Sequence, residues 1–212
     1  MRITKHEHSC LVVDQGGSSL VIDPGNWTTL LIGTNNVKAI VITHEHADHW
    51  TADQLEHILK QNPDARVFGP QGVVDAAHGF KVEAVSAGDT VEVEPFTLRF
   101  FGGQHAVIHS SIPVVDNVGV LVNDLLYYAG DSFTVPEDVE VDTLAVPAAA
   151  PWMKIAEAMD YVAEVKPRRS FTVHEMVLSK AGKDLSNARV KLSTEAIGGE
   201  FFPLEPGDEL DI

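Results

Sequence analysis

The chain has 212 residues, of which 44% are hydrophobic and 22% are charged. This balance excludes an intrinsically disordered chain, and the length predicts one folded domain over residues 1–212 with a buried core. The formal net charge of −16 repels polyanions, so we expect neither a nucleic acid nor an anionic membrane surface as a partner.

Histidine is the residue type that stands out: it occurs ten times, whereas cysteine occurs once, as Cys10. A single cysteine excludes an intramolecular disulfide and a thiolate metal cluster within one chain. The first residues lack the apolar segment of a secretory signal, and no stretch approaches the roughly 18 apolar residues of a membrane span. We therefore expect a soluble cytoplasmic protein. The oligomeric state stays open at this stage.

The first half of the chain alternates short apolar runs with turns. Residues 10–14 and 18–23 predict a β-hairpin around Gly16-Gly17, and the β-branched run 37–43 predicts a strand buried on both faces. Thr51 and Gln54 form a candidate capping box for a helix that ends near Asn62.

The rest of the chain continues with strands and helices, and strands followed by helices occur twice in the whole chain. The predicted strands are 81–85, 90–94, 97–101, 117–122, 125–129, 143–146 and 170–173, and the predicted helices are 71–77, 151–165 and 184–197. The two halves meet near Pro95. We expect two layers of sheet that are covered by helices.

A histidine-rich motif follows the buried strand directly. It reads His44-Glu45-His46-Ala47-Asp48-His49. Histidines at alternate positions of an extended loop can turn both imidazoles toward one point, and Asp48 with His49 offers ligands to a neighbouring point. Such ligands suit Zn²⁺, and the carboxylate also favours Mn²⁺. The alternative interpretation is a solvated polar loop without a metal.

Three further candidate ligands follow predicted strands, namely His105, Asp131 and His174. A side chain at a strand end is held by a rigid sheet, which metal ligands require. Each residue alone is more typical of a hydrogen-bonded structural role. Together with the motif they fit two adjacent metal sites: three histidines for one ion, a carboxylate and two histidines for the other, and a shared carboxylate between them.

In this order of motifs the chain resembles the metallo-β-lactamase fold superfamily, from residues 21–25 to residues 171–174. The resemblance implies an α+β fold, a four-layer αββα sandwich, with two divalent ions, Zn²⁺ or Mn²⁺, and Fe²⁺ as a third option. It implies that Asp131 bridges the ions and that Asp23 orients a ligand histidine. The implied ligands are His44, His46 and His105 for the first ion, and Asp48, His49 and His174 for the second.

Within that superfamily, the short chain and His8-Ser9 resemble small metal-dependent hydrolases related to ascorbate-6-phosphate lactonase. β-Lactamases of the commonest metal-dependent type carry a cysteine where this chain has Asp131, so antibiotic hydrolysis is disfavoured. His109 competes with His105 for the ligand position. We favour His105 because it directly follows a strand and a Gly-Gly turn, which leaves His109 behind the ligands, facing substrate, or on the surface.

Several other residues have both a possible functional role and a possible structural role. His6 and His8 are spaced to share one side of a strand, and the resemblance implies that only His8 lies near the site. Trp152 is a candidate pocket wall or a packing residue. The basic residues Lys166, Arg168 and Arg169 either bind a substrate phosphate or form a solvated turn.

The resemblance implies a hydrolase that acts on a small-molecule substrate, a lactone, ester or phosphate ester, by means of a metal-bridging hydroxide. Asp48 and Asp131 would orient that hydroxide while they serve as ligands. One alternative is a phosphodiesterase or nuclease of the same fold, which the acidic charge disfavours. The other is a metal-binding protein without catalytic activity.

Overall fold

The computed structural model describes the whole chain, Met1 to Ile212, and contains two sheets of seven strands each. The strands of the first sheet are β1 (Arg2–Lys5), β2 (Leu11–Gln15), β3 (Ser18–Ile22), β4 (Val37–Val41), β5 (Arg66–Gly69), β6 (Val82–Ala84) and β14 (Glu209–Asp211). Their spatial order is β14-β1-β2-β3-β4-β5-β6. The pairs from β14 to β3 are antiparallel, and those from β3 to β6 are parallel.

The second sheet has the same arrangement. Its strands are β7 (Thr90–Val93), β8 (Phe96–Gln104), β9 (Asp116–Val122), β10 (Leu126–Tyr128), β11 (Thr143–Pro147), β12 (Arg169–Val173) and β13 (Glu200–Phe201). Their spatial order is β13-β12-β11-β10-β9-β8-β7. The pairs from β7 to β10 are antiparallel, and those from β10 to β13 are parallel.

Four helices cover the outer faces of the sheets: α1 (Ala52–Gln61), α2 (Gln71–Ala76), α3 (Ile155–Val165) and α4 (Lys180–Ala196). Side chains alternate along each strand, so one set packs between the sheets and the other set packs under the helices. In β3, for example, Leu20 and Ile22 belong to the central core, whereas Val21 packs with Leu55 and Ile58 of α1. The predicted four-layer αββα sandwich is confirmed.

None of the four helices has the length and the apolar composition that crossing a lipid bilayer would require.

Most predicted elements are present, with shifted ends. The helix predicted over 151–165 begins four residues later, at Ile155, because residues 148–154 form a loop at the site. The short strands β5, β13 and β14 were not predicted. The boundary between the halves precedes Pro95, since β7 already pairs with β8 in the second sheet. The strand expected around His6 and His8 ends earlier, at Lys5.

Gln54 has a different role from the one predicted. Thr51 does cap α1, because its hydroxyl accepts a hydrogen bond from the Gln54 backbone N–H. The buried Gln54 side chain does not complete the capping box. It donates to the carbonyls of Thr28 and Thr29 and accepts from the backbone N–H of Leu31 at 3.2 Å. It therefore fastens the loop after β3, residues 23–36, to α1.

We expect Gln54→Ala to lower the free energy of unfolding by about 2 kcal/mol, because it leaves buried backbone groups of the 23–36 loop without partners. Urea denaturation measures this change. The matched control is Gln61→Ala, an exposed glutamine of the same helix, for which we expect less than about 0.5 kcal/mol. Equal losses for the two variants would contradict the anchoring role.

Candidate metal centre

The predicted ligands come together at one edge of the two sheets. Asp23 follows β3, His44 to His49 follow β4, His105 follows β8, Asp131 follows β10 and His174 follows β12. The two sheets are joined at this edge by backbone contacts: His44 forms an isolated antiparallel bridge with Asn117, and the Val118 N–H donates to the Thr43 carbonyl at 2.9 Å. The first sheet thus supplies the His44–His49 motif, and the second supplies the remaining ligands.

The side chains form three groups of candidate ligand atoms, each within 4.8 Å of one another. These groups are His44, His46 and His105; His8, Asp48, His49 and His174; and His44, His49 and Asp131. The first two match the ligand sets that the sequence predicts, with His8 added to the second. The third joins a member of each set to Asp131, which is the position expected of a shared carboxylate.

Asp23 is the buried acceptor behind the ligands. One carboxylate oxygen accepts the Thr43 backbone N–H at 2.8 Å, and the other accepts the Thr43 hydroxyl and the Nδ1–H of His49, both at 2.7 Å. The end of β3 thereby fixes both the end of β4 and the ring of His49. The structure places Asp23 where the resemblance implies, behind a ligand histidine.

The ring nitrogens show which atoms face the centre. Nδ1–H of His105 donates to the Ala106 carbonyl at 2.5 Å, and Nδ1–H of His174 donates to the Ala149 carbonyl at 2.6 Å. Because carbonyl oxygens can only accept, the Nδ1 atoms carry the protons and the Nε2 lone pairs stay free. The Thr43 hydroxyl donates its proton to Asp23, so its oxygen accepts from Nδ1–H of His44 at 3.1 Å. Nε2 of His44 therefore also faces the centre.

The atoms that face the centre are buried and have no hydrogen-bond partner outside the cluster. They are Nε2 of His44, His49, His105 and His174, together with Oδ1 of Asp131. Buried polar atoms normally find a partner, so a set of electron-pair donors that converge without donors of their own fits a bound cation. Imidazole nitrogens and carboxylate oxygens suit Zn²⁺, Mn²⁺ or Fe²⁺. The residues present therefore fit a divalent metal centre.

The electrostatics of the cluster agree with this assignment. Burial alone would raise the pKa of Asp131, but the charges of His49 and His174 hold it well below its ordinary value. Burial likewise opposes charge on His49, whereas Asp131 and Asp23 raise the pKa of that imidazole well above its usual range. The buried carboxylates of Asp131 and Asp23 thus favour a positive charge between them. Protonated imidazole supplies this charge in the metal-free protein, and a metal ion supplies it when bound.

Two residues outside the predicted set hold Asp131. The Asn117 side chain accepts the Asp131 backbone N–H at 3.0 Å and donates to the Ala129 carbonyl at 2.9 Å. The indole N–H of Trp152 donates to Oδ2 of Asp131 at 2.8 Å. Gly130, which lies between Ala129 and Asp131 in the chain, has a φ of +65°. A Cβ at this position would lie 2.3 Å from Oδ1 of Asn117, so only glycine fits here. Sequence reasoning missed Asn117, although a polar residue at the start of an apolar strand is a usable signal.

His8 is fully buried and belongs to the centre rather than to a strand. Its Nε2 lies 3.2 Å from Oδ2 of Asp48, and its ring is 3.9 Å from the ring of His174. Burial lowers the pKa of His8 to about 4. Burial favours protonation of Asp48, but the hydrogen bond with His8 and the charge of His49 lower the pKa of that carboxyl to about 2. His8 thus orients an ionised Asp48.

The structure does not bring every candidate to the centre. His109 is exposed, and its Nδ1 pairs with the Ser111 hydroxyl at 2.7 Å, so it lies outside the ligand groups. Arg168 and Arg169 pair with Asp142 at the opposite end of β12 from His174, about 16 Å of extended strand away. These contacts favour the solvated turn over the substrate-phosphate interpretation, because the length of β12 separates both arginines from the cavity at the ligands.

A cavity of about 460 Å³ opens onto the ligands. Its polar lining consists of His46, Asp48, His105, Asp131 and His174. Trp152 also lines this cavity, so it is a pocket wall as well as the hydrogen-bond partner of Asp131. A volume of this size is typical of small-molecule sites.

Comparisons with known proteins agree with the fold and the site. Residues 2–174 match the family described as the beta-lactamase superfamily domain. A Mycobacterium tuberculosis protein, Rv0786c, is 38% identical over 90% of this chain and 91% of its own length. A UPF0173 metal-dependent hydrolase of Ligilactobacillus salivarius is 28% identical over 62% of both chains. The structure of Igni18, a metallo hydrolase from Ignicoccus hospitalis, superposes with a TM-score of 0.74 at 19% identity, covering 99% of this chain and 97% of that one.

The chain therefore belongs to the beta-lactamase superfamily and has its metallo-β-lactamase fold. The predicted class of enzyme, a metal-dependent hydrolase, is confirmed by the class that these relatives share.

The competition between His105 and His109 has a direct test. We expect His105→Ala to lose at least one equivalent of bound metal, because it removes a buried nitrogen from the group of His44 and His46. His109→Ala, the matched control, keeps the metal content of the unsubstituted protein. Elemental analysis after reconstitution with Zn²⁺ or Mn²⁺ measures both. Metal loss in His109→Ala alone would reverse the assignment.

A second test concerns Asp23. We expect Asp23→Asn to weaken metal binding about 10- to 100-fold, since the amide cannot accept from Thr43 and His49 as the carboxylate does. Competition with a chromophoric chelator measures the dissociation constant. Asp14→Asn, which alters a carboxylate that accepts from Ser19 on the neighbouring hairpin, is the control. Equal affinities in the two variants would exclude the orienting role.

Proposed function

We propose that the protein hydrolyses a small lactone, ester or phosphate ester at two adjacent metal ions held by the seven predicted ligands. The observation that carries this proposal is the pair of ligand groups that Asp131 joins through His44 and His49, with members of both groups lining one cavity. A single structural metal site would be closed on all sides by its ligands.

The cavity lining also favours water as the nucleophile. None of its residues is a serine, threonine or cysteine. Cys10, the single thiol, is buried under the first sheet, and burial raises the pKa of that thiol. A thiol or hydroxyl nucleophile next to an activating base is therefore absent from the cavity.

Divalent ions, when bound, lower the pKa of water toward neutrality and polarise the substrate oxygen that becomes anionic. The chain's own residues arrange the reactants. Asp48 and Asp131 stay ionised and accept hydrogen bonds from water, which fixes its orientation toward the substrate. His8 holds Asp48, and Trp152 holds Asp131, so neither carboxylate swings away during the reaction. Trp152 and its neighbours exclude bulk water from one side of the cavity.

The nuclease alternative has less support in this chain. A nuclease of this fold needs a basic surface that neutralises several phosphates, and the formal net charge is −16. The basic cluster that exists, with Arg168 and Arg169, lies at the far end of β12 and is paired with Asp142. A small-molecule substrate is therefore our proposal for the partner.

The test is a hydrolysis panel on protein reconstituted with Mn²⁺ or Zn²⁺, comparing lactones, simple esters and phosphodiesters. We expect lactone or ester hydrolysis that Asp131→Asn reduces by at least about 10³-fold, because the amide keeps the size of the side chain but removes its charge. Asp124→Asn is the matched control, since Asp124 lies in an exposed turn and pairs only with Arg99.

Metal content is measured for each variant alongside turnover. Hydrolysis of phosphodiesters alone would move the protein to the phosphodiesterases. A fully metal-loaded protein without turnover on any substrate class would support the metal-binding alternative and overturn the proposal.

A further inference from the structure

Most of the exposed large apolar side chains of this protein lie on loops that carry site residues. Of the ten large hydrophobic residues that are exposed, only Leu185 and Leu192 lie on a helix, α4. The other eight lie on three loops that carry site residues: Trp27, Leu30, Ile32, Val107, Ile112, Val114, Met176 and Val177. Single exposed apolar residues need no explanation, but several on the loops that carry site residues direct attention to the lining of the cavity.

The cavity continues this apolar region down to the ligands. Its hydrophobic lining consists of Trp27, Ile108, Trp152 and Val177, together with Pro151. Two of these walls are fixed in position. The Trp27 ring packs edge-on against His8 at 4.5 Å, and the Trp152 indole is hydrogen-bonded to Asp131 and packs on Phe133 at 5.1 Å. The apolar walls are therefore built into the site rather than left by a flexible loop.

The same cavity contains no lysine or arginine. Its only charged or ionisable residues belong to the ligand groups, and the fixed charges among them are the carboxylates of Asp48 and Asp131. A phosphate or carboxylate that is remote from the reacting bond would find no cationic side chain to pair with. It would also lose hydration against the apolar walls, which is costly for a charged group.

We propose that the substrate is an uncharged ester or lactone whose acyl part carries an apolar chain of several carbons, bound against Trp27, Ile108 and Val177. This proposal rests on the hydrolase function proposed above. It excludes sugar phosphates, although the sequence resembles enzymes related to ascorbate-6-phosphate lactonase. The reaction adds water across the acyl–oxygen bond and releases a carboxylate, a proton and an alcohol, or a hydroxy acid from a lactone.

The experiment uses the metal-reconstituted full chain and p-nitrophenyl esters that share one leaving group. We expect kcat/KM to rise about two- to fourfold per added methylene from acetate through butanoate to hexanoate, as burial of each methylene predicts. The monoester of adipic acid has a chain of the same length as hexanoate with a terminal carboxylate. We expect its kcat/KM to be at least about tenfold below that of hexanoate.

Substitutions in the cavity lining test which side chains contact the apolar chain of the substrate. We expect Trp27→Ala and Val177→Ser each to reduce the hexanoate-to-acetate ratio of kcat/KM about three- to tenfold. The matched control is Leu192→Ser, which lies on α4, is 54% exposed and does not line the cavity, so its ratio stays that of the unsubstituted protein. An unchanged ratio in both wall variants would overturn the assignment of the apolar subsite.

A binding measurement separates this proposal from the hydrolase proposal. Octan-2-one and butan-2-one are uncharged and unreactive, and tryptophan fluorescence of the metal-free protein reports their binding. We expect octan-2-one to bind at least about tenfold more tightly, and Trp27→Ala to remove that preference. If this holds while no ester is hydrolysed, the apolar subsite stands and the hydrolase proposal fails. If acetate, hexanoate and the adipate monoester react equally and neither ketone is preferred, the hydrolase stands and the apolar substrate is wrong.

Discussion

Buried electron-pair donors without hydrogen-bond partners are the constraint on which this structure depends. Nε2 of four histidines and one oxygen of Asp131 converge at the edge of the sheets, and no group outside this cluster forms a hydrogen bond with them. Each such atom costs about 1–3 kcal/mol when it is left unsatisfied. The packed core between the two sheets must offset this cost in the metal-free protein, and a bound cation removes it. Metal binding and folding stability are therefore coupled in this chain.

The two-sheet architecture explains how such a costly arrangement is held. Neither sheet carries a complete ligand set, because His44 and His46 follow a strand of the first sheet and His105 follows a strand of the second. Backbone contacts at His44 and Thr43 join the sheets at the centre itself. His8 and His174 have positive φ angles of 60 and 61, and the His174 N–H donates to the His8 carbonyl at 2.9 Å. This unfavourable backbone is fixed by the surrounding contacts, as is typical of functional sites.

The sequence predicted the parts of the site that depend on local pattern. His44 to His49 were recognisable because a buried strand runs directly into a polar loop, and His105, Asp131 and His174 stand at the same kind of junction. Contacts between distant segments were not accessible. Asn117 and Trp27 reach the centre only through the packing of the sheets and loops, and the Gln54 side chain bonds a loop that precedes it by more than twenty residues. Short strands such as β13 have too few residues to show a period.

The charge of the protein and the lining of its cavity act on the proposed reaction in the same direction. A formal net charge of −16 attracts divalent cations to the centre and repels anionic small molecules. An uncharged ester meets no such barrier, and its apolar chain gains contact with Trp27 and Val177. Hydrolysis then converts the neutral substrate into a carboxylate, for which the cavity has no lysine or arginine. Apart from the metal ions themselves, the acidic surroundings therefore oppose retention of the product more than entry of the substrate.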